Sequence, residues 1–187
     1  PWFARMEERL GIAPWALPPN SNNHVISQGC DALGYSWHTI PRNVRGCWNL
    51  GYCGLGCPTN AKQSMLVTTI PGALKQGAEL YYLAHADRLI IEKGEVKGVQ
   101  CSAMQRDYLT RTGITLEVRA RHTIMACGGI NGPALLLRSG APDPYERIGK
   151  RTFMHPVPFS LADFEQRIAG FSGAPQSVYS DHFQWRD

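Results

Sequence analysis

Apolar residues recur at helical spacing in "WFARMEERLGI" (residues 2–12), and Gly11 supplies a stop. The next stretch, "APWALPPNSNN", is rich in proline and asparagine and reads as a loop. "HVISQGCDALG" predicts a short helix ending at Gly34, and "YSWHTIP" alternates as a strand does. "CWNLGYCGLGCPTNAKQS" (residues 47–64) has no period; Gly51, Gly54, Gly56 and Pro58 make it loop. In "SMLVTTIPGALKQGAEL", Thr68 or Thr69 can cap a helix with Pro71 in its first turn and Gly77 at its end. From Leu80 the pattern changes to strands: "LYYLA", "DRLIIE", a turn at Lys93, Gly94 and Glu95, then "VKGVQCSAM". "QRDYLTRTG" is a polar turn region, and "ITLEVRA" and "HTIMA" predict two further strands. "CGGINGPALLLRSG" then leaves a strand through glycines and enters an apolar helix. After "RTFMHPVPFSLADF" alternation resumes, which predicts a new sheet from near Val157.

This order of elements predicts an α/β piece of α+β character carrying an antiparallel meander. No internal repeat interrupts it. The 187 residues fit one ordinary domain or a piece of a larger one, and 43% apolar residues suffice for a core. The net charge of +4 is scattered and forms no basic run, which argues against a nucleic-acid or membrane-surface role. No apolar stretch reaches the length of a membrane span. Six cysteines are too few for a disulfide scaffold and do not fix a redox compartment.

Candidate chemistry sits at two places. In "HTIMACGGINGPALLL", small residues stand between a hydrophobic segment and a helix. A ligand can lie against such backbone, and a helix start offers unpaired N–H groups to an anion. The G-x-G-x-x-G fingerprint of a self-contained dinucleotide site is missing. The second place is the C-x5-C-x3-C-P run of Cys47, Cys53 and Cys57. Closely spaced thiols among glycines suit a soft metal or an iron–sulfur cluster. A zinc site needs a fourth ligand that the spacing does not offer, and three thiolates suit a three-iron cluster better. The same residues also read as packing groups or as a disulfide. His24, His38, His85, His122 and His182 carry no motif, and Cys30 and Cys101 read as buried thiols.

The ordered blocks "GCPTNAKQSMLVTTIPGALKQGAEL", "EVKGV", "IMACGGINGPALLLRSG" and "IGKRTFMHP" resemble the middle of a glucose-methanol-choline (GMC) oxidoreductase, and "GAPQSVYSDHF" resembles the start of that family's substrate domain. The resemblance implies a Rossmann-like FAD-binding domain over residues 1–154, with the cysteine-rich loop at 46–60, and a substrate-binding domain beginning at 155–187. It implies oxidation of a CH–OH group of an alcohol or sugar by hydride transfer to FAD. The family's glycine fingerprint and its histidine for the hydroxyl proton are both absent from this stretch, so the chain reads as an internal fragment, inactive alone. The resemblance places the backbone of Ala86 near the adenine, packs Ala126, Cys127, Gly128 and Gly129 against FAD, and sets His155 at the crossing between domains, grouped with the cofactor and not catalytic. Lys62, Gln63 and Ser64 match a block near the flavin.

The cysteine spacing is also similar to a branch of sugar dehydrogenases with a [3Fe-4S] cluster beside the FAD. That likeness implies Cys47, Cys53 and Cys57 as ligands and a cytochrome or quinone as electron acceptor. The rival reading is a metal-binding interaction module, zinc or iron–sulfur, without catalysis. A catalytically dead remnant of a flavin fold is a third.

Overall fold

The computed structural model describes residues 1–184. The last three residues of the expected substrate-domain segment therefore lie outside the described residues. The chain is mixed α and β and divides into two compact units, one of residues 1–79 with 161–187 and one of residues 80–160.

The first unit opens with helix α1 (Trp2–Leu10), which Gly11 ends in the left-handed conformation at φ 61°. Arg45 Nη2 donates to the carbonyl of Glu8 at 2.8 Å, so a cation covers the helix's negative end. Strand β1 (Ile12–Pro14) pairs antiparallel with β3 (Pro41–Asn43). Helix α2 (Ser21–Leu33) begins three residues before the expected start at His24, because the Asn20 side chain accepts from the Asn23 N–H and caps it. Its end at Gly34 is as the sequence predicts, with φ 68°. The alternating "YSWHTIP" shrinks to β2 (His38–Thr39), whose partner is β7 (Val178–Tyr179). Helix α3 (Thr69–Leu74) follows Thr68, whose hydroxyl turns back to the Ser64 carbonyl and caps nothing.

Buried side chains of this unit are small and often polar: Asn23, Ser27, Cys30, Ala61, Ala174, Ser177 and Val178. Asn20 and Asn23 on α2 hold the returning segment. Asn20 Nδ2 donates to the carbonyl of Ser172 at 2.9 Å, and Asn23 Nδ2 to that of Pro175 at 3.1 Å. Asn23 Oδ1 accepts from the buried Ser177 N–H at 2.8 Å.

The second unit is the meander β4 (Ala84–Glu92), β5 (Glu95–Met104) and β6 (Arg111–Arg119), in that order and antiparallel throughout. The turn at Lys93 and Gly94 is where the sequence puts it. Helix α4 (Gly128–Arg138) lies on β4; Leu135 is 3% exposed, and Ser139 Oγ accepts from the Leu89 N–H at 2.8 Å. Removing a side chain as buried as Leu135 costs about 2–5 kcal/mol.

Three expected strands differ. "LYYLA" contributes only its last residue, since Leu83 has φ 56° and breaks the extension. "HTIMA" is irregular chain without a ladder, and no sheet starts near Val157. An isolated strand leaves its backbone groups unpaired, so the apolar pattern alone does not make one. All strand pairing among the described residues is antiparallel, so the parallel ladders of a Rossmann-like sheet are not seen there. The boundaries between these compact units fall at residues 79/80 and 160/161.

Candidate functional site

The cysteine loop is closed at its neck. Arg45 N donates to the Ala61 carbonyl at 2.8 Å, and Gln63 N to that of Asn43 at 2.8 Å. Val44 and Lys62 form an isolated bridge between them, and Ala61 is buried under it. The side chain of Asn43 donates to the Gln63 carbonyl at 3.0 Å. These contacts bring the two ends of residues 46–60 together, as in a surface loop whose ends are close. Its flank is fixed as well: Gly173 N donates to the Asn49 carbonyl at 3.0 Å. Gly51, at φ 73°, lies so close to the Phe171 carbonyl that a Cβ there would overlap it.

Cys47, Cys53 and Cys57 all face one hollow, walled also by Trp48, Tyr52 and Pro58, with a volume of about 20 Å³. All three are free and half-buried. Cys47 Sγ accepts from the Asn49 N–H at 3.4 Å, and Cys57 Sγ lies 3.6 Å from the Thr59 hydroxyl. The Lys62 backbone N–H, then the Thr59 hydroxyl, lower the Cys57 thiol from 9.0 to about 7. The expected cluster does not fit this arrangement. A space of about 20 Å³ holds one water molecule. Among the described residues no three His, Cys, Asp or Glu side chains are grouped to hold a metal ion. Cys47, Cys53 and Cys57 are three free thiols lining one small hollow, and no metal-binding group is shown at them among the described residues.

Beside the neck lies a larger hollow of about 290 Å³, lined by Trp15, Leu17, Arg42, Val44 and Cys47 among others. Arg42 Nη1 donates to the Gln176 carbonyl at 2.6 Å, and its guanidinium stands 5.7 Å from the Trp15 ring centre. Its Nε is buried without a partner. Sequence reading passed over this arginine, since no motif surrounds it.

In the second unit, Ala126, Cys127, Gly128 and Gly129 are exposed at the start of α4. Cys127 occupies the cap position and its side chain makes no capping bond. Gly128 has φ 75°, and a Cβ on either Gly128 or Gly129 would meet nothing within 4 Å. Open backbone and uncapped N–H groups fit a flat, anionic ligand such as a dinucleotide. Ala86 lies on β4, and its carbonyl accepts from Arg138 Nη2 at 3.2 Å. Arg138 ends the helix that Gly128 begins, so Ala86 and the glycine turn flank opposite ends of α4, about 15 Å of helix apart. His155 lies in exposed, irregular chain. The structure does not gather the expected cofactor residues around one point.

A charged network missed by sequence reading lies on the meander. Ser102 Oγ donates to Asp87 Oδ2 at 2.6 Å, Arg111 pairs with Asp87 Oδ1 at 2.7 Å, and His85 Nδ1 is 3.1 Å from the same oxygen. Burial raises the Asp87 carboxyl, but hydrogen bonds from Ser102, then Arg111 and His85, hold it below the usual carboxylate value. The serine faces the carboxylate and not the histidine, so this is no nucleophile–base arrangement.

A family model described as GMC oxidoreductase matches residues 1–157. An uncharacterized GMC-type oxidoreductase of Mycobacterium tuberculosis (strain ATCC 25618 / H37Rv) is 31% identical over 182 residues, covering 97% of this chain and 28% of that protein. A long-chain-alcohol oxidase of Arabidopsis thaliana is 27% identical over 174 residues, covering 89% of this chain and 23% of that protein. A 6'''-hydroxyparomomycin C oxidase of Streptomyces lividus is 27% identical over 210 residues, covering 98% of this chain and 37% of that protein. The chain therefore spans between 23% and 37% of the length of these relatives.

Proposed function

This chain belongs to the GMC oxidoreductase family, and from that premise we propose that it is part of an FAD-dependent oxidoreductase that oxidises a CH–OH group by hydride transfer to the flavin. The observation that carries the reading is the open glycine turn at the start of α4. Its backbone has room for a flat ligand at Gly128 and Gly129, and its helix start offers N–H donors to an anion. FAD, when bound, supplies the two-electron acceptor for the reaction. The chain's own part is to hold it: backbone at residues 126–129, and the β4 backbone at Ala86, which Arg138 braces. His155 is assigned to the join with the substrate-binding part of the protein and takes no part in proton transfer.

An alcohol is the substrate class, because relatives of this chain are named long-chain-alcohol oxidases. The cysteine loop is left out of the electron path, since no group of cluster ligands is gathered there among the described residues.

The test is made on the complete polypeptide that contains this stretch. It should purify with a flavin absorbing in the visible, and a long-chain primary alcohol should bleach that absorbance under anaerobic conditions. Gly129→Val should lower flavin occupancy tenfold or more by filling the open backbone. A colourless protein that cannot be reconstituted with FAD would overturn the reading.

A further inference from the structure

The larger hollow beside the loop neck is unexplained by the flavin reading. Its walls come from the β1–β3 ribbon and the chain on either side of it: Pro14, Trp15, Ala16 and Leu17 from one strand, Arg42 and Val44 from the other. The ribbon is fixed before anything binds. Trp15 N donates to the Ile40 carbonyl at 3.3 Å, and Ile40 N to the Ser177 carbonyl at 3.0 Å. Arg42 is the one charged side chain in the wall, and among the described residues no Asp or Glu pairs with it. Its guanidinium lies over the Trp15 ring, 5.7 Å from the centre, which leaves the N–H groups of its edge to acceptors. Of these, Nη1 is held by the Gln176 carbonyl at 2.6 Å, and Nε is buried without a partner. A cation without a counter-charge thus stands in an apolar wall, where an anion is attracted more strongly than in open water.

We propose that this hollow binds a small monocarboxylate with a short apolar body. The carboxylate takes the Nη2 edge of Arg42, and the apolar body fills the space beside Trp15, Leu17 and Val44. A volume of about 290 Å³ suits a small ligand, since small-molecule sites run from about 300 to 1,000 Å³. A phosphate monoester suits it less. Its three strong acceptor oxygens need several donors, and the described lining holds no Ser, Thr or Lys beside the arginine. The inference does not depend on the flavin reading, because the hollow is built within the first compact unit and the glycine turn belongs to the other.

Benzoate is the probe, and benzamide, of the same shape without the charge, is its control. Both are titrated by calorimetry into the complete polypeptide that contains this stretch. Benzoate should bind with a Kd of about 1 mM or below, ordinary for so small a ligand, and benzamide and inorganic phosphate at least tenfold more weakly. Arg42→Gln should weaken benzoate tenfold or more, and Arg42→Lys should restore only part of the loss, because a point charge replaces the fork. Arg42 also holds Gln176, so a second variant leaves it in place. Ala16→Trp, at an exposed position of the lining, fills the hollow and should abolish benzoate binding. Binding should persist in excess FAD. Absence of benzoate binding would mean that further chain already occupies the hollow, and would overturn the proposal. So would benzamide binding as tightly as benzoate, unchanged binding in Ala16→Trp, or displacement of benzoate by FAD.

Discussion

At Cys57 the acidity of the thiol has causes that a single substitution can separate. The first is the Lys62 backbone N–H, which no side-chain change removes; the second is the Thr59 hydroxyl. With a pKa of about 7 against an ordinary 9.0, half of the thiol is ionised at pH 7. A more acidic thiolate is also a weaker nucleophile, so the net gain in alkylation rate over an ordinary surface thiol is about sixfold at that pH. The rate of iodoacetamide labelling at Cys57 should rise with pH to a midpoint near 7. Thr59→Val should move the midpoint upward, short of 9.0 because the Lys62 donor stays. An unchanged midpoint in that variant would show that the hydroxyl has no part in it. Asp87 presents the opposite chemistry, an acid held ionised by donors. Its folded pKa is depressed, so its contribution to stability is fully present above the ordinary carboxylate value of 3.8 and is lost as pH falls through the lower folded one. Asp87→Asn should cost about 1–2 kcal/mol at neutral pH, measured by urea unfolding, since partly exposed pairs are worth little more. The gap between native and variant should close in strong acid. A gap that stays constant from neutral pH to acid would mean that the carboxylate charge is not what matters.

The elements that the sequence makes legible are those whose causes are local. Gly11 and Gly34 end α1 and α2 because a left-handed residue closes each helix, and both positions are readable one by one. The Lys93–Gly94 turn of the meander is local in the same way. The start of α2 is harder, because asparagine serves loops and caps equally, and only the Asn20–Asn23 bond separates the two roles. The pairing of β2 with β7 cannot be read at all: two residues on each side carry too little pattern to find each other across the chain. "HTIMA" has the opposite fault, a strand pattern without a partner among the described residues. At the candidate site, the cysteine loop is legible as a loop, but the donors on Cys57 and the size of the void depend on folding. The asparagine clamp of α2 belongs to this scale too. Asn23 serves Pro175 with its amide hydrogens in part-buried surroundings and Ser177 with its oxygen in buried ones. Asn23→Ala strands those groups and should cost about 2–3 kcal/mol. Urea unfolding and the exchange rate of the Ser177 amide measure it. An amide that stays protected in the variant would show that β7 is held by its ladder alone.

At the scale of the whole molecule, the pattern of the sequence and the exposure of its side chains disagree in places. Large apolar side chains lie open in two segments where the sequence pattern asks for strands. Ile124 is 90% exposed in "HTIMA", and Phe159 and Leu161 are 87% and 97% exposed in the segment after His155. An apolar segment with no ladder and no cover has little to hold it in a strand. The pattern and the exposure are reconciled if further chain pairs with these segments in a polypeptide of the relatives' length, of which this stretch is 28% in the first of them. Hydrogen exchange separates the alternatives. In residues 1–187 alone, amides at 123–126 and 157–161 should exchange as fast as unfolded chain, and the protein should bind an apolar dye. In the complete polypeptide the same amides should slow at least a hundredfold and dye binding should fall. The meander should be protected in both, because its hydrogen bonds close within residues 84–119. Equal, fast exchange at 123–126 in the two proteins would mean that this segment is loop in its final setting, and that its alternation is an accident of composition.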